Sequence, residues 1–356
     1  MKRLNAYFRP TRFAGFGPWQ SRLILSVLVI VIFWAVALCE KPASLSVAGN
    51  GTGDADVYLR IIDRLHAGED YYSVVGSELR AGNYASRSVF NWRPPFLAWF
   101  LAKMPQPQMG KWILVLLSLA VLIMWLSILS EAGGFWMTLL GGLLLLGMVV
   151  CCFAGDGFVF HELWAGVLIA FSIAVYSRSR SLSVVSGLLA LFIRELSLAF
   201  AVVMLVIAYT EKRRYEMFAW LIGIAAFFVY LSVHAKIVSG LLIASDRTGE
   251  TWIQFGGLSF VLSTTRWTLL TFFAPLWVDA VLLPLSLLGA AGWRGAFGRR
   301  VAMTLCVYVF AFSVAGRQDN YYWGLMYAPL LPVGLVSAPP ALADLCRAAI
   351  GRYRIA

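Results

Sequence analysis

The sequence predicts an all-α, polytopic transmembrane helical bundle. Of the 356 residues, 60% are hydrophobic and only 13% are charged, a balance that is rare in soluble domains of this size. Several apolar runs also approach or reach the roughly 20 residues that a helix needs to cross a bilayer. We therefore expect about 9–11 membrane segments, some of them too short to span alone.

The net charge of +11 is explained by membrane topology, and nucleic acid is not an expected partner. Basic residues precede the first apolar run and follow the last one, and such residues stay on the cytoplasmic side of a membrane. We expect a cytoplasmic tail at 1–21, a single membrane domain at 22–340 and a second cytoplasmic tail at 341–356. The flanking basic residues are Lys2, Arg3, Arg9, Arg12, Arg22, Arg347, Arg352 and Arg354.

The first apolar run, Leu23–Cys39, is predicted to be an uncleaved helix. Glu40-Lys41-Pro42 follows it, where a cleaved signal peptide would have small residues. A polar loop at 40–93 must then lie outside the membrane. Two amphipathic helices are expected in it, at Asp54–His66 and near Tyr72–Arg80, lying in the interface with their apolar sides towards the acyl chains.

Short polar or basic loops separate the later apolar runs. The basic loops indicate on which side of the membrane some of these runs begin and end. The loops at 177–181 and 211–215 are both basic, so both should be cytoplasmic. The run between them must then leave and return, which favours a hairpin turning near 192–195 over one long helix. The predicted segments are Pro94–Met104, Gly110–Ser130, Phe135–Phe153, Phe160–Tyr176, Leu182–Thr210, Phe218–Val238, Leu258–Trp277, Ala280–Trp293, Val301–Val314 and Trp323–Val336.

The predicted number of membrane crossings before His161 disagrees with the side on which that residue is expected. If Pro94–Met104 crosses the membrane, an odd crossing remains before His161, so one short segment must not span. The sequence leaves open which one.

Four polar clusters are expected to meet on the outer side, because ionisable groups at membrane depth usually pair or line a cavity. An acid there could take a proton from a hydroxyl, and an arginine could hold phosphate oxygens through its planar fork. Each cluster has a structural alternative. Asp54 and Asp56 could serve as helix caps, and Asp319 and Asn320 could cap the last helix. His161 and Glu162 could simply begin a helix at the membrane interface, and Arg194 with Glu195 could be a buried ion pair. The clusters are Asp54/Asp56/Tyr58, His161/Glu162, Arg194/Glu195 and the run Arg317-Gln318-Asp319-Asn320-Tyr321-Tyr322-Trp323, in which Arg317, Asp319 and Asn320 are the candidate site residues, with Arg93 near them.

No Walker A motif and no G-x-G-x-x-G pattern occurs, which argues against a mechanism driven by a cytosolic nucleotide. No cofactor is required by the sequence. A divalent metal is an open possibility that the arginines make unnecessary, since they could neutralise a phosphate themselves.

At these residues the chain resembles the GT-C superfamily of integral-membrane glycosyltransferases, and most closely glycosyltransferase family 87, the polyprenol-phosphate mannosyltransferase-like group. The resemblance lies in Asp54 four residues before Tyr58, in Gly68-Glu69-Asp70-Tyr71 and in Trp92-Arg93-Pro94-Pro95. Arg194 matches the basic residue of the family's short hairpin. His161-Glu162-Leu163-Trp164 matches the family's Gly-Gln-x-Asn site only loosely.

The resemblance implies a GT-C fold and transfer of a hexose, such as mannose, from a polyprenyl phosphate to a lipid- or glycan-type acceptor. Asp54 would be the general base of an inverting displacement, and Arg194 would hold the phosphate, with Arg317 or Arg93 assisting. The remaining named residues would bind substrate. The site would face the periplasm or cell exterior across the cytoplasmic (inner) membrane.

Two other functions remain open at this point. A transporter or flippase for a lipid-linked sugar would use broken helices and intramembrane arginines equally well, although the sequence carries no evident inverted repeat. A polymerase or ligase joining whole glycans would favour a large outer loop late in the chain, whereas here the largest loop is the first.

Overall fold

The computed structural model describes residues 6–39, 53–249, 254–268, 271 and 273–352, and within these ranges the regular elements are helices without strands. The prediction of an all-α fold is therefore confirmed. The α-helices are α1 (Pro18–Cys39), α2 (Asp54–His66), α3 (Tyr71–Ala81), α4 (Phe96–Ala102), α5 (Met109–Phe153), α6 (His161–Val175), α7 (Arg180–Ile193), α8 (Leu198–Thr210), α9 (Arg214–Leu241), α10 (Gly257–Thr265), α11 (Leu276–Gly292), α12 (Gly295–Val314), α13 (Leu331–Val336) and α14 (Ala338–Ala349).

The lengths and composition of the helices support a membrane-embedded protein. In the described part of the chain, α1, α5, α9 and α12 are long and apolar enough to cross a bilayer. The pair Ala328–Val336 and Ala338–Ala349, bent by 46°, passes the same test together and would make a fifth span. Four shorter apolar helices, including α6, α7 and α11, accompany them.

Helix α5 is two antiparallel legs joined at Gly134. The backbone there has φ 68° and ψ −155°, a conformation that glycine adopts without a Cβ penalty. Gly141 on the second leg packs against Leu129 on the first. At the far ends, the rings of Trp112 and Phe153 lie 5.8 Å apart, so the two legs run side by side as the two predicted segments require.

The predicted hairpin between the basic loops is also present. Helix α7 ends at Ile193, and Arg194 follows with extended backbone, φ −142° and ψ 115°. Gly187, on α7, packs against Phe200 on α8, so the chain turns back on itself. One long helix through Leu182–Thr210 is excluded.

Two predicted segments do not cross. Pro94–Met104 contains only the 7-residue helix α4, whose length of about 10 Å is far short of a bilayer. Paired prolines open it and further prolines follow at Pro105 and Pro107, which limits the helix. Removing this crossing resolves the conflict in the count.

The second of these predicted segments is Leu258–Trp277, which is divided between two helices. It contains the 9-residue helix α10 and the start of α11. Pro275 precedes Leu276, and a residue before proline is biased away from helical backbone. A new helix therefore starts after the break.

The first and last described segments of the chain pack at one end of the bundle, which we call the basic end. The Tyr7 hydroxyl donates to the carbonyl of Val336 at 2.8 Å, and the Thr11 amide donates to Asp344 at 2.7 Å. The residues of the predicted N-terminal tail that are described here are therefore packed onto the bundle. Helix α14 continues to Ala349, past the predicted domain boundary at 340.

The opposite end, which we call the cavity end, carries the polar segment after α1. Helix α2 begins and ends at the predicted residues, and α3 spans the second predicted amphipathic piece. Their apolar faces do not point at lipid as predicted: Val57 and Ile61 of α2 and Val74 of α3 are buried in one cluster with Trp92. The apolar faces are covered by protein because α2 and α3 fold against each other and against the segment that holds Trp92. Residues 40–52 of the predicted outer loop lie outside the described residues.

Candidate active site

A cavity of about 920 Å³ opens at the cavity end. Its volume is in the range of sites that hold a drug-sized or larger ligand. Helix α2, the segments before α4 and α6, the 242–249 loop and the 3₁₀ helix Gln318–Met326 all contribute to the wall. The predicted residues that line it are Asp54, Tyr58, Arg93, His161, Arg317, Asp319 and Asn320.

Asp54 is the first residue of α2 and is held at the wall by two tyrosines. The Tyr84 hydroxyl donates to its Oδ1 at 2.7 Å, and the Tyr322 hydroxyl donates to its Oδ2 at 3.1 Å. Burial is the main cause that raises the pKa of Tyr84 and of Tyr322, and the Asp54 charge adds to it. Both phenols therefore stay protonated and fix the orientation of the carboxylate.

The capping alternative applies to Asp56 rather than Asp54. Gly53 is the N-cap of α2. The Asp56 carboxylate accepts a hydrogen bond from the Gly53 amide at 3.1 Å, and its side chain is exposed. Asp56 therefore secures the start of the helix that presents Asp54, and it does not line the cavity.

Arg93 is a buried cationic group on the polar wall. Its Nε donates to the Tyr58 hydroxyl at 3.1 Å, and its Nη2 donates to the Tyr322 hydroxyl at 3.3 Å. The residue is only 6% exposed, and its φ of +53° is in the left-handed region that costs energy for residues with a side chain. Backbone strain of this kind is typical of functional sites.

His161 opens α6 beside these residues. Its ring lies 5.4 Å from the Tyr58 ring in an edge-on arrangement. The side chain is 4% exposed, and within the described residues neither ring nitrogen has a hydrogen-bond partner. Since burying a polar group without a partner is costly, a bound molecule in the cavity would satisfy it.

Glu162, Arg194 and Glu195 form an ion-pair cluster behind the wall. Arg194 Nε lies 2.7 Å from Glu162 Oε1, and Arg194 also pairs with Glu195. Arg194 and Glu162 are both 0% exposed, and none of the three lines the cavity. Glu195 reaches forward to Arg93, with 4.0 Å between Oε1 and Nη1, so the cluster supports Arg93 from behind.

The mouth of the cavity is more exposed and carries charge of both signs. Arg317 pairs with Asp319 at 2.8 Å, and the Asp319 side chain is 61% exposed. Asn320 is 5% exposed, and its Nδ2 has no hydrogen-bond partner in the described residues. Arg247 lies across the mouth and donates to the carbonyl of Asn83 at 3.2 Å.

The structure thus brings the four predicted clusters to one end of the bundle. Some of their residues line the cavity, whereas Glu162, Arg194 and Glu195 lie behind its wall. Sequence analysis places Tyr322 in the polar run from Arg317 to Trp323 and assigns it no separate role. It does not single out Tyr84 or Arg247. Tyr84 and Arg247 carried no signal of their own.

In the described part of the chain no group of three or more histidine, cysteine, aspartate or glutamate side chains could hold a metal ion. The wall instead offers the fixed positive charge of Arg93, together with tyrosine hydroxyls and the His161 ring. These groups can bind an anionic, hydroxyl-rich molecule. Comparison with protein-family models, curated proteins and solved structures finds no match to this chain.

Proposed function

We propose that this protein is a membrane glycosyltransferase of the GT-C type. It would move a hexose, such as mannose, from a polyprenyl-phosphate donor to a lipid- or glycan-type acceptor. The placement of Asp54 carries the proposal: its carboxylate lies on the wall of a large cavity, fixed by Tyr84 and Tyr322. A buried arginine contacts the same Tyr322 hydroxyl.

Asp54 is the proposed general base. Each carboxylate oxygen has a second lone pair beside the one that a tyrosine occupies, so Asp54 can still accept a proton from an acceptor hydroxyl. The acceptor oxygen would attack the anomeric carbon as that proton passes to Asp54. The bond from the anomeric carbon to the phosphate oxygen would break, its electron pair leaving with the polyprenyl phosphate, and the configuration would invert.

Arg93 is the proposed contact for the departing phosphate. A guanidinium fixed beforehand near the developing negative charge stabilises the transition state without reorganising. Arg93 meets this requirement because it lines the cavity, whereas Arg194 is enclosed by Glu162 and Glu195. Arg194 would then act through Glu195, and Arg317 at the mouth would assist in binding the donor.

His161 is proposed to bind a donor hydroxyl or phosphate oxygen. Its ring nitrogens are buried without partners in the described residues, and the neighbouring Tyr58 ring fixes its position. Whichever ring nitrogen carries the hydrogen could donate it to the polyprenyl-phosphate sugar, which would give the buried imidazole a hydrogen-bond partner.

The basic loops support an orientation for the proposed enzyme. Arg213 and Arg299 both pair with Glu211, and Arg347 pairs with Asp344, at the basic end of the bundle. By the rule that such residues stay inside, the basic end would face the cytoplasm. The cavity would then open on the periplasmic or exterior face of the cytoplasmic (inner) membrane, where a polyprenyl donor could enter from the surrounding lipid.

The test is a transfer assay with purified protein in lipid, a panel of radiolabelled polyprenyl-phosphate hexoses and a membrane extract as the acceptor source. Asp54→Asn keeps the shape of the side chain and removes its basicity. Asp56→Asn is the matched control, because it changes a neighbouring exposed carboxylate that caps the helix. We expect transfer by the wild type and the control, and loss of transfer in Asp54→Asn.

Equal transfer by Asp54→Asn would exclude Asp54 as the base. If no donor yields transfer and labelled donor lipid instead moves across the vesicle membrane, the protein is a flippase. That outcome would replace the proposal.

A further inference from the structure

A second, smaller cavity lies apart from the candidate active site, between α10, α11 and α13. Its volume is about 30 Å³, which is close to the share of one water molecule in the liquid. Three hydroxyl groups and one carboxylate line it, from Thr265, Thr271, Ser286 and Asp279, and the rest of the wall is apolar. None of these residues lines the large cavity.

Asp279 is a buried acid that the proposed transferase reaction does not use. It lies in the first turn of α11 and is 2% exposed. Its Oδ2 has no hydrogen-bond partner in the described residues. An acid at membrane depth is costly and usually marks a site of ion or proton binding.

The hydroxyls around Asp279 offer oxygen lone pairs to the cavity. The Ser286 hydroxyl donates its hydrogen to the carbonyl of Leu331 at 2.7 Å, and the Thr265 hydroxyl donates to the carbonyl of Leu262 at 2.7 Å. Each hydroxyl has one hydrogen and two lone pairs, so both oxygens keep acceptor capacity. Thr265 and Thr271 lie within hydrogen-bonding reach of the carboxylate.

We infer that this small cavity, which we call the Asp279 site, binds a sodium ion. Carboxylate and hydroxyl oxygens are the ligands that hard cations prefer. One positive charge neutralises one carboxylate, whereas a divalent ion would leave an excess charge in an apolar surrounding. The volume admits a small ion that has lost most of its water shell.

The charges near the site favour a modest affinity. Arg266 is the basic side chain whose charge acts on the carboxylate, and its Nη2 donates to the carbonyl of Ala274 at 3.1 Å. This positive charge competes with a bound cation through space. The positive N-terminal end of α11 acts in the same sense.

Binding at the Asp279 site would tie α11 to α10 and α13. Asp279 and Ser286 come from α11, Thr265 ends α10, and Leu331 begins α13. An ion that binds only the folded protein stabilises it in proportion to the logarithm of its concentration. The inference does not depend on the transferase proposal, and its readouts are stability and ion binding.

The experiment is thermal unfolding of the purified full-length protein in sodium-free choline chloride, with NaCl, KCl or further choline chloride added at equal ionic strength. We expect NaCl at concentrations well above the dissociation constant to raise the midpoint by about 2–4 °C, and KCl and choline chloride to leave it unchanged. In Asp279→Asn the NaCl effect should be lost. Ser313→Ala, which removes from α12 a half-buried hydroxyl that does not line the Asp279 site, is the control and should respond as the wild type does.

If Asp279→Asn fails to fold, a direct measurement of sodium binding tests the inference instead. Binding of ²²Na⁺ to the wild type should be displaced by unlabelled Na⁺ and not by K⁺, and Ser286→Ala should weaken it several-fold. Equal stabilisation by all three salts, an unchanged NaCl effect in Asp279→Asn, or no displaceable ²²Na⁺ binding would overturn the inference.

Discussion

The Tyr322 hydroxyl donates to the Asp54 carboxylate at 3.1 Å, although 268 residues separate the two in the chain. The same hydroxyl accepts from Arg93 at 3.3 Å. One phenol therefore connects the proposed base to the proposed phosphate-binding arginine. It sets both their orientation and their separation.

Removing this hydroxyl should slow transfer and leave the fold intact. In Tyr322→Phe the Asp54 carboxylate loses one of its two fixed donors, and we expect kcat to fall by about 10–100-fold because misplaced catalytic groups lose much of their effect. The fold-change would be measured in the polyprenyl-phosphate-hexose assay beside thermal unfolding.

Tyr321→Phe is the matched control, since Tyr321 is 42% exposed and its ring stacks on Trp267. It should keep nearly full kcat. Equal kcat for Tyr322→Phe and the wild type would contradict the positioning role of the Tyr322 hydroxyl.

Arg93 should be intolerant of lysine. The Arg93 guanidinium uses separate nitrogens for Tyr58, Tyr322 and the carbonyl of Phe90, and a lysine ammonium cannot reproduce this fork. We expect Arg93→Lys to lower kcat/KM for the donor by about 100-fold or more. Arg317→Lys is the comparison, and because Arg317 sits at the exposed mouth its loss should be about tenfold or less. Similar losses for the two variants would mean that Arg93 is not the special phosphate contact.

The helix pattern was predictable from the sequence because it is local. Apolar periodicity gave α2 its correct bounds, and the alternation of basic loops placed the turn beside Arg194. The same charge argument placed His161 and Arg194 at the end that carries Asp54. Convergence of the site was therefore accessible without a structure.

The sequence did not show in this way which residues line the cavity and which lie behind its wall. Whether Arg194 faces a cavity or is enclosed depends on the packing of Glu162 and Glu195 around it, which no spacing rule encodes. The bond from Tyr84 to Asp54 depends on how α3 folds back on α2. The apolar faces of those helices carry the same pattern whether they meet lipid or protein, so their direction was misread.

Arg194 should behave as a structural residue. Removing one partner of a buried ion pair leaves an uncompensated charge, which costs about 3–5 kcal/mol. Arg194→Met alone and Glu162→Met alone should therefore destabilise strongly, whereas the double variant Arg194→Met/Glu162→Met should recover part of the loss. The coupling would be measured by denaturant unfolding in a double-mutant cycle.

A phosphate-binding Arg194 makes a different prediction. The double variant would then fold normally yet show a donor KM raised at least tenfold, with kcat reduced as well. Recovery of stability together with a near-normal donor KM would support indirect action through Glu195 and Arg93.

Asp246 should give the protein part of its acid sensitivity. Its carboxylate accepts from Arg80 Nε at 2.8 Å, from the Ser86 hydroxyl at 2.7 Å and from the Ile243 amide at 2.7 Å. The Arg80 hydrogen bond is the main cause that holds the pKa of Asp246 well below its usual range. These contacts fix the 242–249 loop, and hence Arg247, against α3.

Because the pKa is lower in the folded protein than in the unfolded chain, the pair contributes its full stability above pH about 4 and loses it as the pH falls further. Asp246→Asn should unfold at lower temperature than the wild type near neutral pH. The difference between the two should shrink steadily below pH about 4, since the wild-type carboxyl is then being protonated as well.

Thermal unfolding of both proteins across that range is the measurement, with Asp63→Asn as an exposed control whose difference from the wild type stays near zero. A gap between wild type and Asp246→Asn that is independent of pH would mean that the ionised form of Asp246 does not stabilise the loop, and that its shape alone does.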